Sequence, residues 1–346
     1  MKSTTQQRKT RIEVGDIIDI RPEPDNYILD EPLGRAVEVA LRFNQPLLLT
    51  GEPGTGKTLL AEKVAAMLSQ QSQAENTAYQ FSAKPLRFNT KTTSTARDLF
   101  YIYDAIGHFQ NANIQKITDN AKEQLEETFR PKHLKEFIEL QALGKAIAFA
   151  NPENKYKPLF KTALPKKAQS SVVLIDEIDK APRDFTNDIL NEIERQEFFI
   201  KEQNNERLEL GKDNPQRILI IMTSNSEKNL PEAFLRRCVF HHIKFPSSER
   251  LQDILKAQLS KETKITKALK VNLEEISNLF IKIRDKATAR KPPATAELVA
   301  FTRILEMDGH LAKENPDIKK WFENNLYLLA KTKDDIKSIS DYLTKL

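Results

Sequence analysis

Eight consecutive residues, Gly51-Glu52-Pro53-Gly54-Thr55-Gly56-Lys57-Thr58, have the types and spacing needed to hold a polyphosphate. They fit the pattern G-x-x-x-x-G-K-[ST], in which glycines let the backbone wrap and turn its N–H groups inward on an anion. Lys57 would reach the β- and γ-phosphates and the Thr58 hydroxyl would bind Mg²⁺. Leu59, the next residue, completes the predicted nucleotide-binding segment. The flanks supply the context this chemistry needs. Pro46 to Thr50 is a short apolar run that reads as a buried strand, and Leu59 to Leu68, rich in Leu, Ala, Glu and Lys, reads as a helix. The anion would then sit at a helix N-terminus. A glycine-rich turn that merely precedes a helix need not show this strand–loop–helix order, so the stretch predicts a nucleoside triphosphate site.

A second stretch, Ser171 to Asp179, carries four apolar residues and then the acids Asp176 and Glu177. It reads as a buried strand with carboxylates at its C-terminal end, where ligands sit in α/β sheets. Asp176 would hold Mg²⁺ through water and Glu177 would polarise an attacking water. Acids often end strands, so this pattern gains its meaning from the phosphate loop earlier in the chain. A third apolar run, Arg217 to Asn225, ends in Asn225, placed to touch a γ-phosphate or its water. Leu230 to Arg237 then brings the neighbouring pair Arg236 and Arg237, and Val239 to Phe245 reads as a last strand before Pro246.

The remaining elements must position these groups. Val14 to Ile20 is compatible with a short strand, and Arg21 to Asn26 is an extended linker. Tyr27, Ile28 and Leu29 precede a helical pattern over Leu33 to Phe43. Tyr27 and Ile28 are candidates for contacts with the base, although ordinary core packing explains them equally well. Ser69 to Ala78 is polar and Gln-rich and reads as a loop; Leu86 to Thr90 reads as a strand, and Thr95 to Tyr101 as the start of a helix. The stretch from about 105 to 169 reads as a long, mostly helical insertion containing the Ala/Leu-rich run Ile138 to Ala150. Pro182 to Glu197 is an amphipathic helix and Phe198 to Leu210 a β-hairpin. From Ser247 to Leu346 the pattern is helical throughout.

Composition limits the alternatives. The 346 residues are 39% hydrophobic and 30% charged, with a net charge of +5 that neither demands nor excludes nucleic acid. A single cysteine, Cys238, rules out a disulfide framework or thiolate cluster. His241 and His242 would point to opposite faces of a strand, a poor geometry for one metal. No apolar run approaches the length of a membrane span and no signal-peptide core opens the chain, so the expectation is no membrane and a reducing cytoplasm.

Taken in order, the phosphate loop, the strand ended by Asp176-Glu177, the strand ended by Asn225, the paired arginines and the helical tail resemble the AAA+ ATPases. Within them the chain looks like the MoxR-type branch, relatives of the magnesium-chelatase and McrB-like ATPases. The resemblance covers about residues 27–305 and rests on Gly51–Thr58, Leu174–Asp179 and Leu230–Arg237. It implies a P-loop α/β core of three layers around a parallel sheet, followed by an all-helical lid. The corresponding divisions are an N-terminal extension (1–26), a nucleotide-binding domain (27–245, with the insertion at about 105–169) and a lid (246–346). It implies ATP and Mg²⁺ as ligands, with Asn225 positioning the catalytic water. Arg237, with Arg236 as second choice, would act as a finger on a neighbouring subunit, making the active form a ring, most simply a hexamer. By the same analogy the partner is a client protein or a von Willebrand factor A-domain protein. Where MoxR-type lids carry a nucleotide-sensing arginine this chain has Thr295, with Arg290 or Lys291 able to substitute from the turn before. Two other readings stay open: a McrB-like, nucleic-acid-directed motor, for which Thr332-Lys333-Asp334-Asp335 is only a loose guanine signature, and a slow nucleotide-dependent assembly switch.

Overall fold

A computed structural model describes residues 23–120, 133–226, 230–260 and 263–346. The strand expected at Val14 to Ile20 lies outside them. The first helix, α1 (Glu31–Phe43), starts where Asp30 accepts the Leu33 N–H at 2.9 Å and Pro32 occupies the first turn. It stops at Asn44, which adopts the left-handed conformation. Strand β1 (Leu47–Gly51) follows, then α2 (Lys57–Ala74). The second helix therefore runs through residues expected to form a loop. Gln is a good helix former, and Ser69 and Ser72 are buried instead of solvated.

After β2 (Leu86–Asn89) the expected helix is only a 3₁₀ turn, Ala96–Leu99, in which Asp98 reaches back to the Thr95 N–H at 2.8 Å. The aromatic and β-branched residues beyond it form β3 (Tyr101–Tyr103), which pairs antiparallel with β4 (Ile138–Leu140), beyond α3 (Ala105–Asn120). The Ala/Leu-rich run is thus part strand, and its remainder, α4 (Ala142–Ala150), is a core helix packed on the central sheet. The stretch read as an insertion contributes α4 to the layer covering one face of the sheet.

The chain continues through β5 (Ser171–Asp176), α5 (Arg183–Arg195), the antiparallel hairpin β6 (Glu197–Ile200) and β7 (Glu206–Glu209), β8 (Ile218–Ser224), the short α6 (Glu232–Leu235) and β9 (Val239–Ile243). Five strands form one parallel sheet in the order β2-β5-β8-β1-β9. The three central strands, β5, β8 and β1, read as apolar runs because both of their faces are covered. Their alternation still sorts side chains by layer. Leu47, Leu49, Val172, Leu174, Leu219 and Ile221 meet α1 and α2 on one face. Leu48, Val173, Ile175, Ile220 and Met222 meet α4, α5 and the hairpin on the other. This is the expected three-layer P-loop architecture.

Among the described residues beyond β9 every element is a helix: α7 (Ser248–Gln258), α8 (Lys267–Lys286), α9 (Thr295–Met307), α10 (Ile318–Asn324), α11 (Leu326–Leu329) and α12 (Lys333–Thr344). They share their own apolar cluster. The α8 residues Leu269, Leu273, Ile276, Phe280 and Ile283 recur at helical spacing, and α8 packs on α7, α10 and α12.

One glycine shows how tightly the core is built. Gly144 in α4 lies so close to the Phe100 carbonyl that a β-carbon would fall inside van der Waals distance of that backbone. Alanine normally favours a helix over glycine by about 1 kcal/mol. Here the clash decides the sign. Gly144→Ala is expected to destabilise the fold by about 1–3 kcal/mol, read as a lower urea midpoint at unchanged slope.

Candidate active site

The phosphate loop joins the C-terminal end of β1 to the N-terminus of α2. All three of its glycines, Gly51 (φ 149°), Gly54 (φ 76°) and Gly56 (φ 86°), have positive φ, which an L side chain rarely adopts. Gly56 also sits over the Tyr27 ring, where a β-carbon would lie 3.0 Å from the ring edge. Gly51 is approached from the neighbouring strand, a β-carbon there lying 2.6 Å from the Ile243 carbonyl.

Lys57 is only 8% exposed. Its Nζ donates to the Gly51 carbonyl at 2.8 Å, the Glu52 carbonyl at 2.9 Å and Asn225 Oδ1 at 3.0 Å. Burial pushes the ammonium pKa below the usual lysine value, while the charges of Asp179, Asp176, Glu177 and Glu52 pull it back. Thr58 Oγ1 donates to the Asp176 carboxylate at 3.1 and 3.2 Å. Thr223 Oγ1 holds the same carboxylate and accepts the Glu177 N–H at 2.9 Å. Glu177 itself is in the left-handed region (φ 55°, ψ 50°) and its carboxylate pairs with Lys180. Asn225 is oriented from its backbone, the N–H donating to Asp179 Oδ1 at 3.3 Å. The hydroxyl of Thr58 facing the carboxylate of Asp176 is an all-oxygen pair suited to Mg²⁺, which keeps several waters and takes one or two protein ligands.

These groups close one end of a cavity of about 960 Å³. Pro53 through Leu59, Asp176, Glu177 and Asn225 all line it, as do Tyr27, whose ring lies against Gly56, and Ile28. Burial, aided by Asp30, pushes the Tyr27 phenol up to about 12. The helical region roofs the cavity with Arg250, Ile254 and Gln258 from α7 and Thr295 and Val299 from α9. Arg250 donates to the Ile28 carbonyl at 2.9 Å and Gln258 to the Asn26 carbonyl at 3.4 Å. Sequence reasoning named Thr295 and found none of the other roof residues. The Ser247 helix cap after Pro246 marks where α7 begins, but nothing local reports contacts more than two hundred positions away.

Several candidates lie elsewhere. Gly51 and Glu52 do not line the cavity, and the Glu52 side chain turns toward α8 to pair with Arg284. Arg236 bonds Glu232 within its own short helix at 3.0 Å, and Arg237 Nε pairs with Glu194 of α5 at 2.8 Å. Neither arginine reaches this chain's own cavity. Arg290 and Lys291 are exposed, and the Arg290 N–H is tied to Asp335 at 2.8 Å. Of the three lid candidates only Thr295 lines the cavity. The loose guanine signature is structural: Thr332 caps α12 and Asp335 holds the Arg290 turn, away from the cavity. His242 Nδ1 shares a hydrogen bond with Thr50 Oγ1 at 2.9 Å, and among the described residues no group of His, Cys, Asp or Glu forms a metal cluster.

Residues 47–247 match the family described as the ATPase family associated with various cellular activities (AAA). The chain belongs to that AAA ATPase family. Among solved structures this AAA ATPase is similar to the FIGL-1 AAA domain in complex with ADP, at 17% identity over 93% of this chain and 89% of that one, with a TM-score of 0.41. No curated protein matches its sequence. Among the described residues, no helix is long and apolar enough to cross a membrane.

The loop geometry makes Gly56 its most demanding position. Gly56→Ala meets both the left-handed backbone, which costs an L residue about 1–2 kcal/mol, and the Tyr27 ring. The loop should relax away from its phosphate-binding shape. Titration with a fluorescent ATP analogue is expected to show affinity weakened about tenfold or more, with an unchanged circular dichroism spectrum.

Proposed function

We propose that the chain binds ATP with Mg²⁺ and hydrolyses it as a MoxR-type AAA+ ATPase, coupling hydrolysis to the remodelling of a partner protein. What carries this reading is the hydrogen-bonded set of Lys57, Thr58, Asp176, Thr223 and Asn225 at one end of the cavity, with Glu177 at its edge. In this reading 27–245 is the nucleotide-binding domain and 246–346 the lid.

The polyphosphate takes the place beneath the loop, against the free N–H groups at the start of α2. Lys57 then exchanges carbonyl oxygens for phosphate oxygens. Thr58 and Asp176 would hold the metal, which when bound neutralises charge on the β- and γ-phosphates. Glu177 accepts a hydrogen bond from the attacking water and Asn225 orients it toward the γ-phosphorus. The water oxygen bonds to phosphorus as the bond to the β-phosphate oxygen breaks, and ADP and phosphate leave. The base lies toward Tyr27 and Ile28. The absence of the Thr332–Asp335 signature from the cavity favours adenine over guanine.

Arg237 and Arg236 lie outside their own cavity, which supports their use by a neighbouring subunit in a ring, a hexamer by family analogy. A finger of this kind contributes about 10³–10⁵ in rate. A von Willebrand factor A-domain protein is the partner we propose.

Two substitutions test the assignment. Glu177→Gln should keep ATP bound while turnover falls by about 10² or more, measured as phosphate release beside equilibrium binding; unchanged turnover removes Glu177 from its role. Arg237→Ala should leave nucleotide affinity intact and lose turnover to a comparable degree. If it weakened binding as strongly as turnover, action from a neighbouring subunit would be refuted.

A further inference from the structure

Glu52, the second residue of the phosphate loop, belongs to two sets of contacts at once. Its carbonyl oxygen accepts one of the Lys57 hydrogen bonds at 2.9 Å. Its half-exposed side chain leaves the cavity and pairs with Arg284, near the C-terminal end of α8. Arg284 is far more constrained, its side chain only 8% exposed. It donates to the Pro293 carbonyl at 2.6 Å and lies 3.8 Å from the centre of the Phe245 ring. The guanidinium thus joins three segments: Phe245 between β9 and α7, Pro293 in the turn before α9, and Glu52 in the phosphate loop. A planar fork with an apolar face can bond in its plane and stack at the same time, which a lysine ammonium cannot. Beside this contact the two parts of the chain nearly touch, for a β-carbon on Gly54 would lie 2.8 Å from the Ala294 methyl. Elsewhere the roof is tied differently, through Arg250 and Gln258 to the carbonyls of Ile28 and Asn26.

We propose that Arg284 is a positioning residue that latches the helical region to the phosphate loop through Glu52 and so sets how long a bound nucleotide stays. The proposal rests on reading the cavity as a nucleotide site. An incoming polyphosphate competes for the Lys57 ammonium, which the Gly51 and Glu52 carbonyls now hold. When that ammonium turns to phosphate, the Glu52 backbone gives up a partner while its side chain stays fixed to Arg284. Loop and roof therefore remain joined with the ligand between them, and departure requires Glu52 and Arg284 to separate. An ordinary exposed ion pair would contribute little. Here one partner is nearly buried and already fixed by two other contacts, so little side-chain freedom is lost when the pair forms.

The test is stopped-flow displacement of methylanthraniloyl-ADP from the full chain and from Glu52→Gln, Arg284→Gln and the double variant, beside thermal melting. Glu52→Gln should release the nucleotide about fivefold faster or more, at an unchanged melting temperature because Glu52 lies at the surface. The change should fall on dissociation and leave association as it was. The double variant should release no faster than Arg284→Gln alone, the non-additivity expected of a single contact. Release from Glu52→Gln at the wild-type rate, or additive effects in the double variant, would overturn the latch. Should Arg284→Gln unfold, Glu52→Gln alone decides. If the unsubstituted chain failed to bind the nucleotide, the reading of the cavity would fall with it, an outcome distinct from normal binding with unaltered release in Glu52→Gln.

Discussion

A nearly buried ammonium organises the site. Taking such an ion out of water costs several kcal/mol even after the surroundings relax. Lys57 is retained there by two backbone carbonyls, the Asn225 amide oxygen and the charges of Asp179, Asp176 and Glu177. Each compensating group comes from a different place in the sequence: β1 and its loop, the end of β5, the end of β8. Only a parallel sheet delivers three strand ends to one edge, and β5, β8 and β1 are adjacent in this one. The order of strands is thus a requirement of one cation's solvation. The arrangement also leaves that cation exchangeable, since neutral carbonyls hold it and a polyphosphate offers stronger partners.

The roof obeys a different rule. The apolar cluster of the helical region is separate from the two clusters that flank the sheet. The contacts that carry the two parts across the cavity are polar: Arg250, Gln258 and Arg284 reaching backbone carbonyls and a carboxylate. Phe245, in the connection, stacks on Phe280 of α8 with ring centres 6.4 Å apart and so belongs to the helical side. Polar tethers between separately packed bodies can break and re-form without exposing either core. That is the construction expected of parts that move relative to each other.

Much of the sheet could be read from the chain because the relevant signals are local. The strand before Gly51, the strand ending in Asp176 and the strand ending in Ser224 are apolar runs next to residues with few structural alternatives. The helix through Ala74 was harder, because Gln and Ser report polarity when they are read for periodicity and helix propensity when they are read for backbone preference. Strands β3 and β4 have three residues each, too few to show an alternation. The depth of α4 came from packing against β2, β5 and β8, which no local pattern encodes. In the site, the residues that the loop and the strand ends carry were legible from type and spacing. The residues that close it from above were not, since Arg250 and Arg284 look like any surface arginine until the chain has folded.

Glu177 carries a further meaning. A glutamate in the left-handed region stores about 1–2 kcal/mol of backbone strain that glycine would not. If Glu177 has the role proposed for it, the demands of stability and of chemistry oppose each other at this position. Among variants screened for heat resistance alone, replacement of this acid by glycine should be enriched, and on the role proposed for Glu177 the survivors would be sturdier proteins with an idle site. A glutamate in so unfavourable a conformation is what a position serving the site's chemistry rather than the fold's stability would show.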